Sequence, residues 1–190
     1  SMHMLNTRAV AIEVAAGMGK KYEEVNFIMC HLGGGCSISM HSHGRVTDMV
    51  PSGEGTFTPS RAGAFSNYDM IRLCFSGKYT AQSLRDLFQD HSGIVAYLGT
   101  SDCRAVEQMI AEGDETAREV YEAFAYNIAK DVGKMAVTTS GQVDCIVLTG
   151  GIAYSKMLTD MVKRRVEFIA PVVIRPGAIE MEALAAGILR

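Results

Sequence analysis

No run of this chain approaches the ~20 consecutive apolar residues of a membrane-spanning helix, so no membrane segment is expected. The opening SMHMLNT has no basic stretch followed by an apolar one, which excludes a secretory signal there. Ser1 ahead of Met2 reads as an expression scar. A basic stripe for nucleic acid is also missing: 18 basic residues lie dispersed among 21 acidic ones, for a net charge of −3. No CxxC pair occurs among Cys30, Cys36, Cys74, Cys103 and Cys145. That odd, unpaired set suits a reducing cytoplasm. A zinc site would have to recruit Cys30, His31, Cys36, His41 and His43 without the usual spacing. Strand alternation instead puts Cys36, Ile38 and Met40 on one face, as small apolar side chains of a sheet. Internal repeats, low-complexity tracts and a dividing linker are all absent, and 190 residues make one domain or one lobe of a larger machine.

Nearly half of the residues are hydrophobic, enough for a sizeable core. Residues 6–20 read as a helix capped by Asn6 or Thr7, with Val10, Val14 and Met18 on one face and Gly19 as its stop. Asn26–Leu32 reads as a buried strand. Cys36–His41 and Arg45–Val50 alternate around His43-Gly44, a tight hairpin turn that would leave His41 and His43 exposed. Pro51–Gly63 (PSGEGTFTPSRAG) reads as a long loop. Short helices follow at Tyr68–Phe75, at Thr80–Gln89 capped by Thr80, and at Asp102–Ala111 capped by Ser101. A long helix from Asp114 to about Thr139 carries the buried stripe Val120, Tyr121, Phe124, Ile128, Val132 and Met135. Then come a strand (Asp144–Thr149), a helix (about Ala153 to Phe168), a strand (Pro171–Arg175) and a helix (Glu180–Leu189). Short turns make the early strands antiparallel, and helical crossovers make the later ones parallel. The result is an α/β fold: a mixed five-stranded sheet flanked by helices, with a helical insertion.

Two strands end in glycines, at Gly33–Gly35 and Gly150-Gly151. Each could be a plain tight turn. Each could equally let backbone N–H groups approach an anion, and the second also opens a helix, as a phosphate site does. Neither is a P-loop, since Gly17–Lys21 (GMGKK) has the wrong spacing, and GxGxxG is absent.

HLGGG (His31–Gly35), GEGTFTPSRAG (Gly53–Gly63), LCFSGKYT (Leu73–Thr80), VAYLGTSD (Val95–Asp102) and VLTGGIAYS (Val147–Ser155) together resemble the C-terminal half of the butyrate kinases. These form a branch of the acetate kinase family, within the actin-like ATPase superfamily. The resemblance runs from about Leu5 to Arg190. It implies a ribonuclease-H-like lobe and reversible, ATP-dependent phosphorylation of a short-chain carboxylate such as butyrate or isobutyrate. By the same resemblance, His31, Gly33, Gly34 and Gly35 border the β- and γ-phosphates. Asp102, Cys103 and Arg104 line adenine and ribose. Gly150, Gly151, Ile152 and Ser155 border adenosine and the α-phosphate. Arg61 stabilises the transferring phosphoryl group, and Glu180 holds Mg²⁺. The residues alone leave milder roles open. Arg61 could be a solvated loop arginine, His31 a satisfied buried histidine, Asp102 and Arg104 cap and decoration of a helix, and Glu180 a helix-dipole partner.

The family's N-terminal lobe carries a first phosphate motif, a substrate arginine, a catalytic histidine and an aspartate, and none of these motifs appears here. The resemblance therefore leads us to expect a connecting helix in residues 1–25, a C-terminal nucleotide lobe in 26–190 and an incomplete, inactive enzyme missing its N-terminal lobe. It also implies a cytoplasmic homodimer using ATP or ADP with Mg²⁺. The alternative is a non-catalytic ATP-binding or dimerisation module of the same fold, for which the Arg61 loop would have no purpose.

Overall fold

His43 and Gly44 both turn through the left-handed region, with φ of 48° and 78°. That is the geometry of a two-residue hairpin whose twist matches its strands. The turn joins β2 (Ser37–Ser42) to β3 (Arg45–Val50), and β1 (Asn26–His31) pairs antiparallel with β2 on the other side. β4 (Cys145–Gly150) and β5 (Val172–Pro176) extend the sheet in parallel, giving the order β3-β2-β1-β4-β5. The mixed five-stranded sheet, antiparallel in its early half and parallel in its later half, is the one expected. The computed structural model describes residues 2–51 and 53–177. The helix expected at 180–189, with Glu180, lies outside the described residues.

Helices cover the two faces unequally. α1 (Met2–Gly17) lays Val10, Ala11, Val14 and Ala15 against Phe27, Met29, Cys145 and Val147. The opposite face, with Ile28, Cys30, Ile38, Met40, Ile146 and Leu148, packs under α6 (Glu115–Ala136) and α7 (Lys156–Val166). The α6 stripe buries Tyr121, Phe124, Ile128, Val132 and Met135, as its periodicity requires, while Val120 at its start is only partly buried. Four shorter helices, α2 (Asn67–Cys74), α3 (Ala81–Asp90), α4 (Ile94–Leu98) and α5 (Cys103–Ala111), form the insertion between β3 and α6. The five-residue α4 had no sequence signal; its Ile94 is fully buried in the α6-side core.

Several boundaries and exposures differ from the sequence reading. α1 begins four residues earlier than expected, so Asn6 and Thr7 are buried interior residues and do not cap it. Gly19 does stop it: Lys20 N–H reaches Ala15 O and Gly19 N–H reaches Ala16 O, with Gly19 at φ 71°. The stop leaves Met18 half-exposed and outside the buried face. α5 is capped by Asp102, whose carboxylate accepts from Arg104 N–H, and Ser101 plays no part in the cap. A 3₁₀ turn (Gly151–Tyr154) precedes α7, whose cap is the Ser155 hydroxyl.

His41 is fully buried, contrary to expectation, while His43 is exposed. β2 is an interior strand, and His41 faces the α1 side, 2.8 Å from Tyr22 Oη and 3.1 Å from Ser39 Oγ. Burial pushes its pKa from 6.5 down to about 4, with the nearby Arg8 charge adding to the effect. His31 is also pushed down to about 4, by burial and then by His3. The unfolded chain therefore binds protons that the folded chain refuses, and stability is lost as pH falls from about 6.5 to about 4. Each group contributes a slope of up to about 1.4 kcal/mol per pH unit. We expect the urea midpoint to drop over that interval and to drop less in His41→Gln, where only His31 remains. A midpoint independent of pH there would contradict these burials.

Candidate functional site

The carboxyl ends of β1 and β4 lie side by side, the position where open α/β sheets bind ligands. At β4 the chain leaves through Gly150 (φ 91°), where a Cβ would stand 2.3 Å from Leu32 O. Only glycine permits that approach. It is fixed by Leu32 N–H to Thr149 O at 2.8 Å and Ile152 N–H to Leu32 O at 3.0 Å. Gly150 thus packs the two exits together and does not itself line the space above them.

That space is a cleft of about 590 Å³. One wall is the start of α5, with Asp102, Cys103, Arg104 and Glu107. The other is the 3₁₀ turn and the α7 cap, with Gly151, Ile152, Tyr154 and Ser155. Gly34 and Pro59 also line the cleft. Residues from HLGGG, from the end of VAYLGTSD with the two residues after it, and from VLTGGIAYS therefore meet in one place. Gly33 and Gly35 flank Gly34 without lining the cleft. Asp102 and Arg104 form an exposed ion pair, Nη2 to Oδ2 at 2.8 Å, so capping and lining are both true of Asp102. The Arg104 guanidinium beside Asp102 holds its carboxyl below the usual carboxylate range. Burial pushes the Cys103 thiol up to about 11, leaving it protonated and apolar in character.

Arg61 sits on the far side of the glycine turn. A Cβ on Gly35 would stand 2.5 Å from its Nη1, so the missing side chain at 35 is the space that the guanidinium occupies. The loop carrying Arg61 is built into the protein. Thr58 Oγ1 donates to Gly34 O at 2.7 Å and accepts from Arg61 N–H at 3.1 Å, tying the two loops together. At the loop's other end, Asp131 of α6, only 2% exposed, accepts from Thr56 N–H at 2.6 Å and from Lys134 Nζ at 2.7 Å. Lys134 Nζ also reaches Glu54 O at 3.4 Å. The mid-helix carboxylate is therefore paired as a buried charge must be.

His31 ends β1 beneath the glycines. Asn6 Nδ2 can only donate, and it lies 3.1 Å from His31 Nδ1. Nδ1 is thus the acceptor, and the proton of the neutral ring sits on Nε2. That nitrogen is 3.6 Å from where a Gly33 Cβ would stand, so the donor faces the glycine turn. The His3 ring stacks on His31 with centroids 4.2 Å apart. Sequence reasoning missed Asn6, Thr58, Asp131 and Glu107, whose partners are distant in the chain. Among the described residues, no three His, Cys, Asp or Glu side chains cluster as a metal site. Cys30 and Cys36 are buried thiols with raised pKa values.

Residues 2–171 match the model of the Acetokinase family. Butyrate kinase 2 of Clostridium acetobutylicum is 45% identical over 99% of this chain, which covers 53% of that protein. Among solved structures, an acetate kinase of Porphyromonas gingivalis superposes with a TM-score of 0.91 at 24% identity, over 98% of this chain and 54% of that one. A propionate kinase of Francisella tularensis superposes with a TM-score of 0.85 at 20% identity, over 96% and 53%. The chain thus shares its fold with these acetate and propionate kinases, and it spans about half the length of the relatives it matches.

Proposed function

The chain belongs to the acetokinase family, and on that footing we propose that it supplies the nucleotide-binding half of a carboxylate kinase. In this reading ATP passes its terminal phosphoryl group, reversibly, to butyrate, isobutyrate or a similar short-chain acid. The observation that carries the proposal is the convergence of Gly34, the 102–104 segment, Gly151, Ile152 and Ser155 on one cleft at the strand ends, with Arg61 anchored beside it.

Phosphoryl transfer asks little covalent chemistry of a protein; it asks for positioning and for positive charge where the equatorial oxygens lie. The placements support the following roles in this reading. Backbone N–H groups of Gly33–Gly35 approach the phosphates without a side chain in the way. Arg61 offers a planar fork already held over Gly35, and His31 offers a neutral Nε2–H donor at the same turn. The wall from Asp102 to Arg104 and the Gly151–Ile152 backbone hold adenosine. Mg²⁺, when bound with the nucleotide, would neutralise phosphate charge; Glu180, its proposed holder, lies outside the described residues. A non-catalytic ATP-binding or dimerisation module is the weaker reading, because it gives no purpose to an arginine tied so closely to the glycine turn.

The rest of the proposal concerns what this half works with. Residues 26–190 would be the C-terminal lobe and residues 1–25 its connecting helix. The partner lobe would complete the carboxylate pocket. A homodimer suits the exposed Ile71 of α2, a helix that buries no residue, and the exposed Phe75 that follows it. The cytoplasmic setting is supported by five free thiols.

Two measurements test this. The chain should bind Mg-ADP weakly in calorimetry, since an open lobe covers only part of the ligand. Gly151→Val should abolish that binding while leaving the fold intact, because a Cβ at 151 meets no atom within 4 Å and projects into open space. Equal affinity in parent and variant would refute the adenosine assignment. Separately, hydroxylamine trapping with ATP and butyrate should yield no acyl phosphate from this chain alone, since holding the carboxylate in line accounts for roughly 7–11 kcal/mol of barrier. Turnover that disappears in Arg61→Ala would show instead a complete active site in these residues.

A further inference from the structure

Two carboxylates line the cleft, and they are not equivalent. Asp102 is fully engaged: its Oδ1 accepts from Arg104 N–H at 2.9 Å and Nε at 3.1 Å, and its Oδ2 from Nη2 at 2.8 Å. Glu107, one turn further along α5, is engaged through one oxygen only. Tyr121 Oη donates to Glu107 Oε1 at 2.8 Å, and Ser155 Oγ donates to the same oxygen at 2.5 Å. Tyr121 is fully buried in α6, and the Ser155 hydroxyl already accepts from Leu158 N–H as the cap of α7. Each hydroxyl has one proton and directs it to Glu107 at the shorter distance, while Tyr121 Oη also lies 3.5 Å from Ser155 Oγ. Side chains from two other helices thus hold this half-buried carboxylate in a single orientation. Among the described residues, none hydrogen-bonds to its second oxygen, Oε2.

A fixed acceptor in a cleft selects a ligand that brings a donor. Phosphate oxygens are acceptors and carry like charge, so they are repelled from this position. A nucleotide's donors are its ribose hydroxyls and, on adenine, the exocyclic amine. The cleft also offers apolar surface from Ile152, Pro59 and the protonated Cys103, which suits the faces of a base and leaves the carboxylate to the sugar. We propose that Glu107, held by Tyr121 and Ser155, is the acceptor for a ribose hydroxyl and makes the site selective for ribonucleotides over deoxyribonucleotides. This rests on the nucleotide reading above and adds to it a residue and a specificity.

The test compares ligands on the same protein. Calorimetry is run with ADP, 2′-deoxy-ADP and 3′-deoxy-ADP, each with Mg²⁺, on the parent, Glu107→Gln and Glu107→Met. A hydrogen bond to a carboxylate is worth about ten-fold or more in affinity. The parent should therefore bind ADP at least about ten-fold more tightly than one of the deoxy analogues. Both variants should shrink that ratio toward one while binding the same analogue about as well as the parent does. Glu107→Gln keeps an oxygen for Tyr121 and Ser155, so the comparison survives even if Glu107→Met fails to fold. A merely structural role would weaken all three ligands alike and leave the ratio unchanged; that result overturns the proposal. Equal binding of all three ligands by the parent also overturns it, while leaving the nucleotide reading intact. If the parent binds none of them, the nucleotide reading fails and this inference with it.

Discussion

Leu32 and Gly150 sit back to back with no room for a single carbon between them, and the rest of the site depends on that contact. It joins the carboxyl ends of two parallel strands. Because Ile152 N–H then bonds Leu32 O, the chain leaving β4 must turn at once into a 3₁₀ step. That step delivers Ser155 to the start of α7, where one hydroxyl both caps the helix and meets Glu107. On the β1 side the same contact holds the base of the Gly33–Gly35 turn. A larger residue at 150 would separate the strand ends and displace the glycine turn and the 3₁₀ wall of the cleft together.

The second organising element is the way the Arg61 loop is held. Loops rich in glycine and polar residues are ordinarily mobile. Here the loop is pinned at Thr56 by a buried carboxylate, and at Thr58 by a hydroxyl shared between Gly34 O and Arg61 N–H. The guanidinium is thereby placed before any ligand arrives. In the role proposed for Arg61, charge stabilisation that needs no rearrangement at the moment of transfer is the most effective kind. Asp131 sits among apolar α6 residues for this reason: it trades core packing for a fixed loop.

Much of this was legible in the chain itself. The hairpin at His43-Gly44, the long α6 stripe and the division of the sheet into antiparallel and parallel halves follow from local pattern and connection length. The glycine exits and the Arg61 loop were visible as motifs. What was not visible depends on distant partners. Asn6 looked like a helix cap because its contact with His31 spans 25 residues. Asp131 gave no signal because Thr56 lies 75 residues away. Glu107 looked like one more polar residue on a helix, and its tie to Ser155 crosses 48 residues. His41 was misread for a different reason. Its place beside the hairpin turn points to exposure, but α1 and α6 cover both faces of the sheet there, and His41 is buried against Tyr22 and Ser39.

The central claim is that separate motifs fold into one nucleotide cleft at the ends of β1 and β4. Amide hydrogen exchange with and without Mg-ADP tests it most directly, since it reads position along the chain. The account predicts added protection in three segments, Gly33–Gly35, Ser101–Glu107 and Gly151–Ser155, and none at the opposite end of the domain around Val137 and Phe168. Protection confined to that opposite end, or absent from any of the three segments at saturating nucleotide, would contradict it.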